Sequence, residues 1–367
     1  MREDTVTLRQ YMSAVFVALF SPVSRLLPGA AAEIAGASGW IAPFLAFLPL
    51  AGLITAMHFL LRYEDGSVGL GTALCRSLGN FPGKVMTLLL ALWIVFYGAF
   101  LLRSGAERLI STVYPSAGPA FFIPPILAVC TLAAAGKLRW AFRSGTVILL
   151  LFAGVLLLIC LLALPSVKIA CLWPLRLREP GKLALSVLPA ADVLSPWVYF
   201  AFLRSYVRED DRALARGMKG MLAAVLGAAL LLVCTLGVLG PELTARLPYP
   251  FFVMVKNLSV FHVIQRIEPL VVTVWLMTDF VCVTLNLAAA AEALCCIFPG
   301  KRSSYVLLCA LTMLALSFLI AQDGQTLTHL SEQVVPAVNL AIAFLGVPLL
   351  LSTKICTKKL KMWRKRY

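Results

Sequence analysis

Two Ser-Pro pairs sit inside long apolar runs, in Leu19-Phe20-Ser21-Pro22-Val23 and in Val193-Leu194-Ser195-Pro196-Trp197. Proline removes a backbone donor and clashes with the turn before it, so a helix can open there and leave carbonyls and amides without intrahelical partners. In hydrocarbon, such groups persist only where protein or a polar cavity satisfies them. Half-helix amino termini favour an anionic group, and freed carbonyls favour a cation. A small zwitterion such as an amino acid meets both needs. Ser21, Pro22, Val23, Ser24, Ser195, Pro196 and Trp197 are therefore candidate ligand-binding residues. A Ser-Pro pair is also compatible with a plain kink repaired by a neighbouring helix.

A second group consists of ionisable residues in apolar surroundings, where a charge costs about 2.5 to 3.5 kcal/mol even on the gentler insertion scales. Asp279 is the clearest. Trp275, Asp279, Cys282 and Asn286 recur at spacings of four, three and four, which places them on one helical face. A carboxylate there can hold a coupling proton or cation, pair with a basic residue, or stay neutral as an inert buried acid. Asp192 lies three residues before Ser195, and Arg25 follows the first Ser-Pro pair. Arg103, Glu107 and Arg108 close a third apolar run, and the four-residue spacing of Arg103 and Glu107 predicts an interfacial ion pair. Trp93 and Tyr97 either wall a cavity or pack, and Glu292 is expected to reach water. Tyr97, Asp192, Asp279 and Asn286 complete the candidate ligand set.

Catalysis finds no support. His58, His262 and His329 are scattered, with no carboxylate-rich or metal-ligand constellation around them, and no phosphate-binding loop or nucleophile elbow occurs. No cofactor or metal is expected. The ten cysteines include no CxxC, and Cys130, Cys160, Cys234, Cys282 and Cys309 lie in apolar runs where they act as small hydrophobes.

The elements that must position these residues follow from composition. Of 367 residues, 61% are hydrophobic and 13% charged, more apolar surface than a water-soluble core of this size could hide. The chain reads as an all-α integral membrane protein. Ten windows are long and apolar enough to cross about 30 Å of hydrocarbon. They are residues 8–31, 39–61, 85–109, 119–136, 144–165, 185–206, 218–239, 268–297, 304–321 and 333–353. The two Ser-Pro pairs fall in spans 1 and 6, each the first of five. Residues 1–367 thus read as one membrane domain with five-helix repeats at 8–165 and 185–353 and a basic tail at 354–367. Breaks are expected in helices 1 and 6.

Positive charge sets the orientation. With the amino terminus cytoplasmic, 22 of the 32 Lys and Arg fall on the inner side, seven of them in the tail, so both termini are expected inside. The tail can also grip anionic lipid. The net charge of +15 does not indicate a nucleic-acid binder, because the basic residues lie in short runs between spans with no recognition motif. Between spans, residues 70–78 predict an interfacial helix, and residues 241–267 predict one or two short helices on the opposite face.

Two further segments carry a family resemblance. Leu26-Leu27-Pro28-Gly29-Ala30-Ala31-Ala32-Glu33-Ile34-Ala35-Gly36, followed by Gly39-Trp40-Ile41-Ala42-Pro43, is similar to the first helical hairpin of the B subunits of GerA-type spore germinant receptors. Tyr249-Pro250 and Ile264-Gln265-Arg266-Ile267-Glu268-Pro269-Leu270 resemble that family's entry into helix eight. The resemblance implies the amino acid-polyamine-organocation fold, a LeuT-like five-plus-five inverted repeat, in the inner membrane of a spore-forming bacterium. It also implies a small-molecule germinant, often an amino acid, and A and C subunits as partners. Many members carry a Gly-Phe-Glu-like sequence at the helix 6 break, where this chain has Ser195-Pro196-Trp197 and no acid. An autonomous proton- or cation-coupled amino-acid permease would use the same cavity.

Overall fold

The computed structural model describes residues 5–63, 66–173, 179–258, 268–321 and 324–364, with side chains to residue 357. Helix α1 (Leu8–Ala35) starts at a capping box, in which Thr7 Oγ1 accepts from the Gln10 amide at 3.3 Å and Gln10 Oε1 accepts from the Thr7 amide at 3.2 Å. It ends at Gly36, whose φ of 57° is readily reached only without a Cβ. A 3-10 turn (Gly36–Ile41) leads into α2 (Ala42–Leu61). The small hairpin of β1 (Arg62–Tyr63) and β2 (Gly66–Ser67) precedes α3 (Leu70–Leu78), a short helix over the residues where one was expected. Helix α4 (Asn80–Thr112) follows, then α5 (Pro119–Ala135) and α6 (Leu138–Ala163).

The second half opens with α7 (Pro180–Leu185) and α8 (Val187–Leu194), which passes into a 3-10 helix over Ser195–Tyr206. Helix α9 (Ala213–Leu239) leads to the short α10 (Pro241–Arg246) and α11 (Pro250–Lys256), both inside the expected loop, whose residues 259–267 lie outside the described ones. Helices α12 (Glu268–Ile297) and α13 (Arg302–Leu319) follow. The last stretch is α14 (Gly324–His329), a π turn (Leu330–Val334), α15 (Val335–Leu340), a second π turn (Ala341–Gly346) and α16 (Val347–Arg364).

Each of the ten windows falls on helix. Among the described residues, eight helical stretches are long and apolar enough to cross a membrane; the first, Leu8–Leu61, contains both of the first two windows, and Pro119–Ala135 is a shorter apolar helix. The protein is an integral membrane protein. Leucines such as Leu92, Leu132, Leu150, Leu307, Leu311 and Leu345 stand exposed on the rim of the bundle, where lipid replaces water. The centre is built by α1, α4 and α12. Ala288, Ala289, Ala290 and Ala291 of α12 are buried on every side, because small side chains let neighbouring backbones close in from all directions.

Span 1 differs from the expected interruption. Helix α1 remains α-helical through Pro22 and Pro28. Pro22 lacks the amide that would reach Ala18, yet packing by α6, α8, α9 and α12 holds the helix on all sides, and Ser24 Oγ donates to the Ser21 carbonyl at 3.2 Å. Span 6 does change at its Ser-Pro pair, from α to 3-10 winding. Twelve residues at about 2.0 Å rise cover about 24 Å instead of about 18 Å, and side chains three apart eclipse. Pro196, Tyr199 and Phe202 thereby form one buried row. The basic tail begins as an extension of α16, and Lys354 Nζ donates to the carbonyls of Phe59, Leu60 and Arg62 at 2.8, 2.9 and 2.6 Å, closing the carboxyl end of α2.

Candidate functional site

Two polar clusters lie where α1 meets the second half. The first is centred on Asp279 of α12. Ser21 Oγ of α1 donates to Asp279 Oδ1, and Arg108 Nη2 of α4 pairs with Oδ2. One turn along α12, the Trp275 ring lies under the Arg108 guanidinium at 4.4 Å, and Trp275 Nε1 donates to Ser24 Oγ at 3.1 Å. Gly105 makes the approach of α4 to Asp279 close: a Cβ at that position would stand 3.1 Å from Oδ2. Arg108 is 0% exposed. Of the possibilities open to Asp279 from the sequence, the folded chain takes the ion pair, which joins α4 to α12, and the Ser21 hydroxyl adds α1.

The second cluster forms the floor of a cavity of about 980 Å³ that opens at the end of the bundle away from the chain's first and last described residues. Its walls come from the carboxyl halves of α1 and α4, from α7 and α8, from the chain around α10 and from α14 and α15. At the floor stand its deeply buried lining residues Arg25, Ser104, Asp192 and Val193. Arg25 Nη1 donates to Ser104 Oγ at 2.5 Å, Ser104 Oγ lies 2.7 Å from the Phe100 carbonyl, and the guanidinium sits 5.8 Å from the Phe100 ring centroid. Nε and Nη2 of Arg25 have no partner among the described residues, although the residue is only 3% exposed.

Asp192 is held from the opposite side. Asn339 Nδ2 donates to Asp192 Oδ1 at 2.9 Å, and Asn339 Oδ1 accepts from the Tyr199 hydroxyl at 2.6 Å and from Trp93 Nε1 at 3.2 Å. Trp93 Nε1 also reaches the Tyr199 hydroxyl at 2.9 Å. The Tyr97 ring packs edge-on against Tyr199, with centroids 5.9 Å apart. Asn339 lies on the short α-helical stretch between the two π turns of the last span, and π turns within helices are frequent at functional sites.

The candidate residues therefore divide. Ser21, Ser24 and Asp279 join the ion-pair cluster, while Tyr97, Asp192 and the newly found Asn339 join the cavity-floor cluster. Of the eleven sequence candidates, Asp192 lines the large cavity. Pro22, Val23 and Pro196 are buried within their helices, and Ser195 Oγ donates back to the Asp192 carbonyl at 3.2 Å. Trp197 faces a separate apolar pocket of about 120 Å³ between α1, α2 and α9. Asn286 Nδ2 donates to the Cys282 carbonyl at 2.8 Å, leaving its buried Oδ1 without a partner among the described residues. Trp93 and Tyr97 pack behind the floor and do not wall the cavity.

Arg103 and Glu107 form the expected pair at 2.6 Å, and Arg103 Nε also donates to the Ala321 carbonyl at 3.1 Å. Glu292 is corrected: it is buried and accepts from the Tyr206 hydroxyl at 2.9 Å, because the 3-10 segment brings Tyr206 over the end of α12. Sequence reasoning missed Asn339 and the free edge of Arg25. An amide and a guanidinium in apolar runs were the available signals, but neither reveals its partners before the helices are assembled. Among the described residues, no group of three or more His, Cys, Asp or Glu is placed to hold a metal ion.

Comparison with known proteins agrees with this architecture. The crystal structure of MhsT in complex with L-phenylalanine superposes with a TM-score of 0.66 at 14% sequence identity, over 96% of this chain and 89% of that one. The shared fold is the LeuT type, as expected from the sequence. No curated protein matches the sequence. The model of a family described as spore germination protein matches residues 5–325, nearly the whole chain, and a LeuT-type membrane fold is the one that the sequence resemblance implies for such proteins. The chain belongs to the spore germination protein family of membrane permeases.

Proposed function

We propose that the chain is the ligand-sensing B-type subunit of a spore germinant receptor and that it binds a small molecule, an amino acid, between α1 and the α8/3-10 span. The observation that carries this reading is the cavity that ends between those two elements, directly above the point where span 6 changes its winding at Ser195. MhsT, which has the same fold, was solved with an amino acid bound. Ser21 to Ser24 and Ser195 to Trp197 adjoin the floor residues Arg25 and Asp192 in the chain, so a ligand that draws the floor together pulls on both spans. Closure then stabilises a different state of the assembly, which the A and C subunits read. The site of action is the spore inner membrane, with both termini cytoplasmic.

A permease coupled to a cation through Asp279 is the rival reading. The Arg108 guanidinium already neutralises that carboxylate, which favours a sensor over an ion-coupled carrier. The two readings separate in proteoliposomes that contain the chain alone and are offered each labelled L-amino acid. The sensor gives saturable binding without accumulation, and spores that lack the chain lose the germination response to the same compound. Concentrative uptake by the lone chain would replace the sensor with the permease.

A further inference from the structure

Arg25 is a buried guanidinium with no carboxylate within ion-pair distance among the described residues, at the floor of the cavity of about 980 Å³. Taking such a charge out of water without a counter-ion is costly, and proteins retain it only where something repays the cost. Arg25 is also held in one orientation. Nη1 is fixed by Ser104 Oγ at 2.5 Å, and the guanidinium is backed by the Phe100 ring at 5.8 Å. The atoms left over, Nε and Nη2, belong to one edge of the planar group. That edge offers two parallel N–H donors at the spacing of a carboxylate's two oxygens. Asp192, which lines the same cavity, supplies the opposite charge, with Oδ1 oriented by Asn339 at 2.9 Å.

From this geometry we infer that Arg25 is the carboxylate anchor of the site, receiving the ligand's carboxylate on Nε and Nη2 while Asp192 receives its ammonium group. The inference rests on the ligand-binding reading above and narrows it to α-amino acids with both groups free. It also assigns the buried arginines distinct tasks, since Arg108 already has its carboxylate in Asp279. An unpaired charge that awaits a ligand is a local instability kept for function, so removing it stabilises the empty protein.

The test uses the purified full chain in detergent micelles and measures thermal unfolding of the parent, Arg25→Met and Arg25→Lys. Each protein is measured empty and with each of the twenty L-amino acids, and any stabilising amino acid is then compared with its methyl ester and its primary amide. Empty Arg25→Met is expected to melt at or above the parent's temperature. For the parent, at least one amino acid raises the melting temperature, while its ester and amide do not. In Arg25→Met the half-stabilising concentration of that amino acid rises at least about tenfold, and Arg25→Lys, which keeps the charge without the fork, falls between. Equal stabilisation by ester or amide overturns the anchor, as does a half-stabilising concentration unchanged in folded Arg25→Met. A clear drop in the melting temperature of empty Arg25→Met overturns it too, by making Arg25 a structural residue. These outcomes leave the ligand-binding reading standing. If none of the twenty amino acids stabilises the parent, the ligand class is wrong, and the anchor falls with it.

Discussion

Arg25 and Arg108 are both buried arginines beside the same two helices, α1 and α4, and they are treated in opposite ways. Arg108 is paired with Asp279 and stacked on Trp275, so that its charge is met even though its Nε and Nη1 have no partner among the described residues, and it lines neither of the cavities described above. Arg25 is braced on one side by Ser104 and Phe100 and leaves its other edge unsatisfied at a cavity floor. A charge whose partner is supplied by the protein fixes the packing of helices, whereas a charge whose partner is missing marks where a partner from outside belongs. On the function proposed above, the ion-pair cluster is a structural lock and the cavity-floor cluster is the sensing end.

The strongest way to break that contrast is to unpair Arg108. Asp279→Asn keeps the size and an acceptor for Ser21 but removes the counter-charge of a guanidinium that is entirely buried. Breaking a buried pair from one side costs about 3 to 5 kcal/mol. Denaturant unfolding in mixed micelles should show a loss of that order, and Arg108→Met added to Asp279→Asn should recover much of it, because no charge then remains to be buried alone. A single variant as stable as the parent would mean that Asp279 carries no charge in the fold and that the two arginines do not differ in kind.

A smaller effect is expected at the other cluster. Asn339→Leu removes the group that joins Asp192, Tyr199 and Trp93 and leaves their polar atoms to find new partners. Leaving a buried polar group unsatisfied costs about 1 to 3 kcal/mol. Because Asp192 would no longer be held in place, ligand stabilisation should weaken by more than the loss of stability alone explains. Equal loss of stability with unchanged ligand affinity would move Asp192 out of the site.

The two clusters also differ in how far the sequence could show them. The membrane class, the helical course of the apolar runs and the short helix at residues 70–78 were legible, because hydropathy and helix period are local properties. So was the Arg103–Glu107 pair, four residues apart on one helix. The partners of Asp279 were not legible: Ser21 and Arg108 reach it from positions 258 and 171 residues away, and only packing brings them there. The course of α1 through Pro22 was hidden for the same reason, since the neighbours that hold a proline-containing helix together are distant in sequence. Glu292 shows the converse error. Its place near a span end suggested water, but Tyr206 covers it. The π turns that flank Asn339 leave no mark in hydropathy at all.

The smallest predicted effect sharpens the comparison most, because it separates support from charge. Ser21 Oγ donates to Asp279 Oδ1, whereas Arg108 occupies Oδ2, so Ser21→Ala takes away one neutral donor and leaves the ion pair whole. Alanine is also the better helix former, by a few tenths of a kcal/mol, at a position that α1 keeps helical. The expected net loss is about 1 kcal/mol, well below that of Asp279→Asn, and denaturant unfolding of the two variants side by side reads the difference directly. Ligand stabilisation should be largely retained, since Ser21 faces the lock and does not line the cavity floor. If Ser21→Ala instead abolishes the ligand response while the protein stays folded, the lock and the sensing end are one site. The ligand would then reach down α1 to the first Ser-Pro pair, and the two arginines would have to be read as successive contacts of one bound molecule.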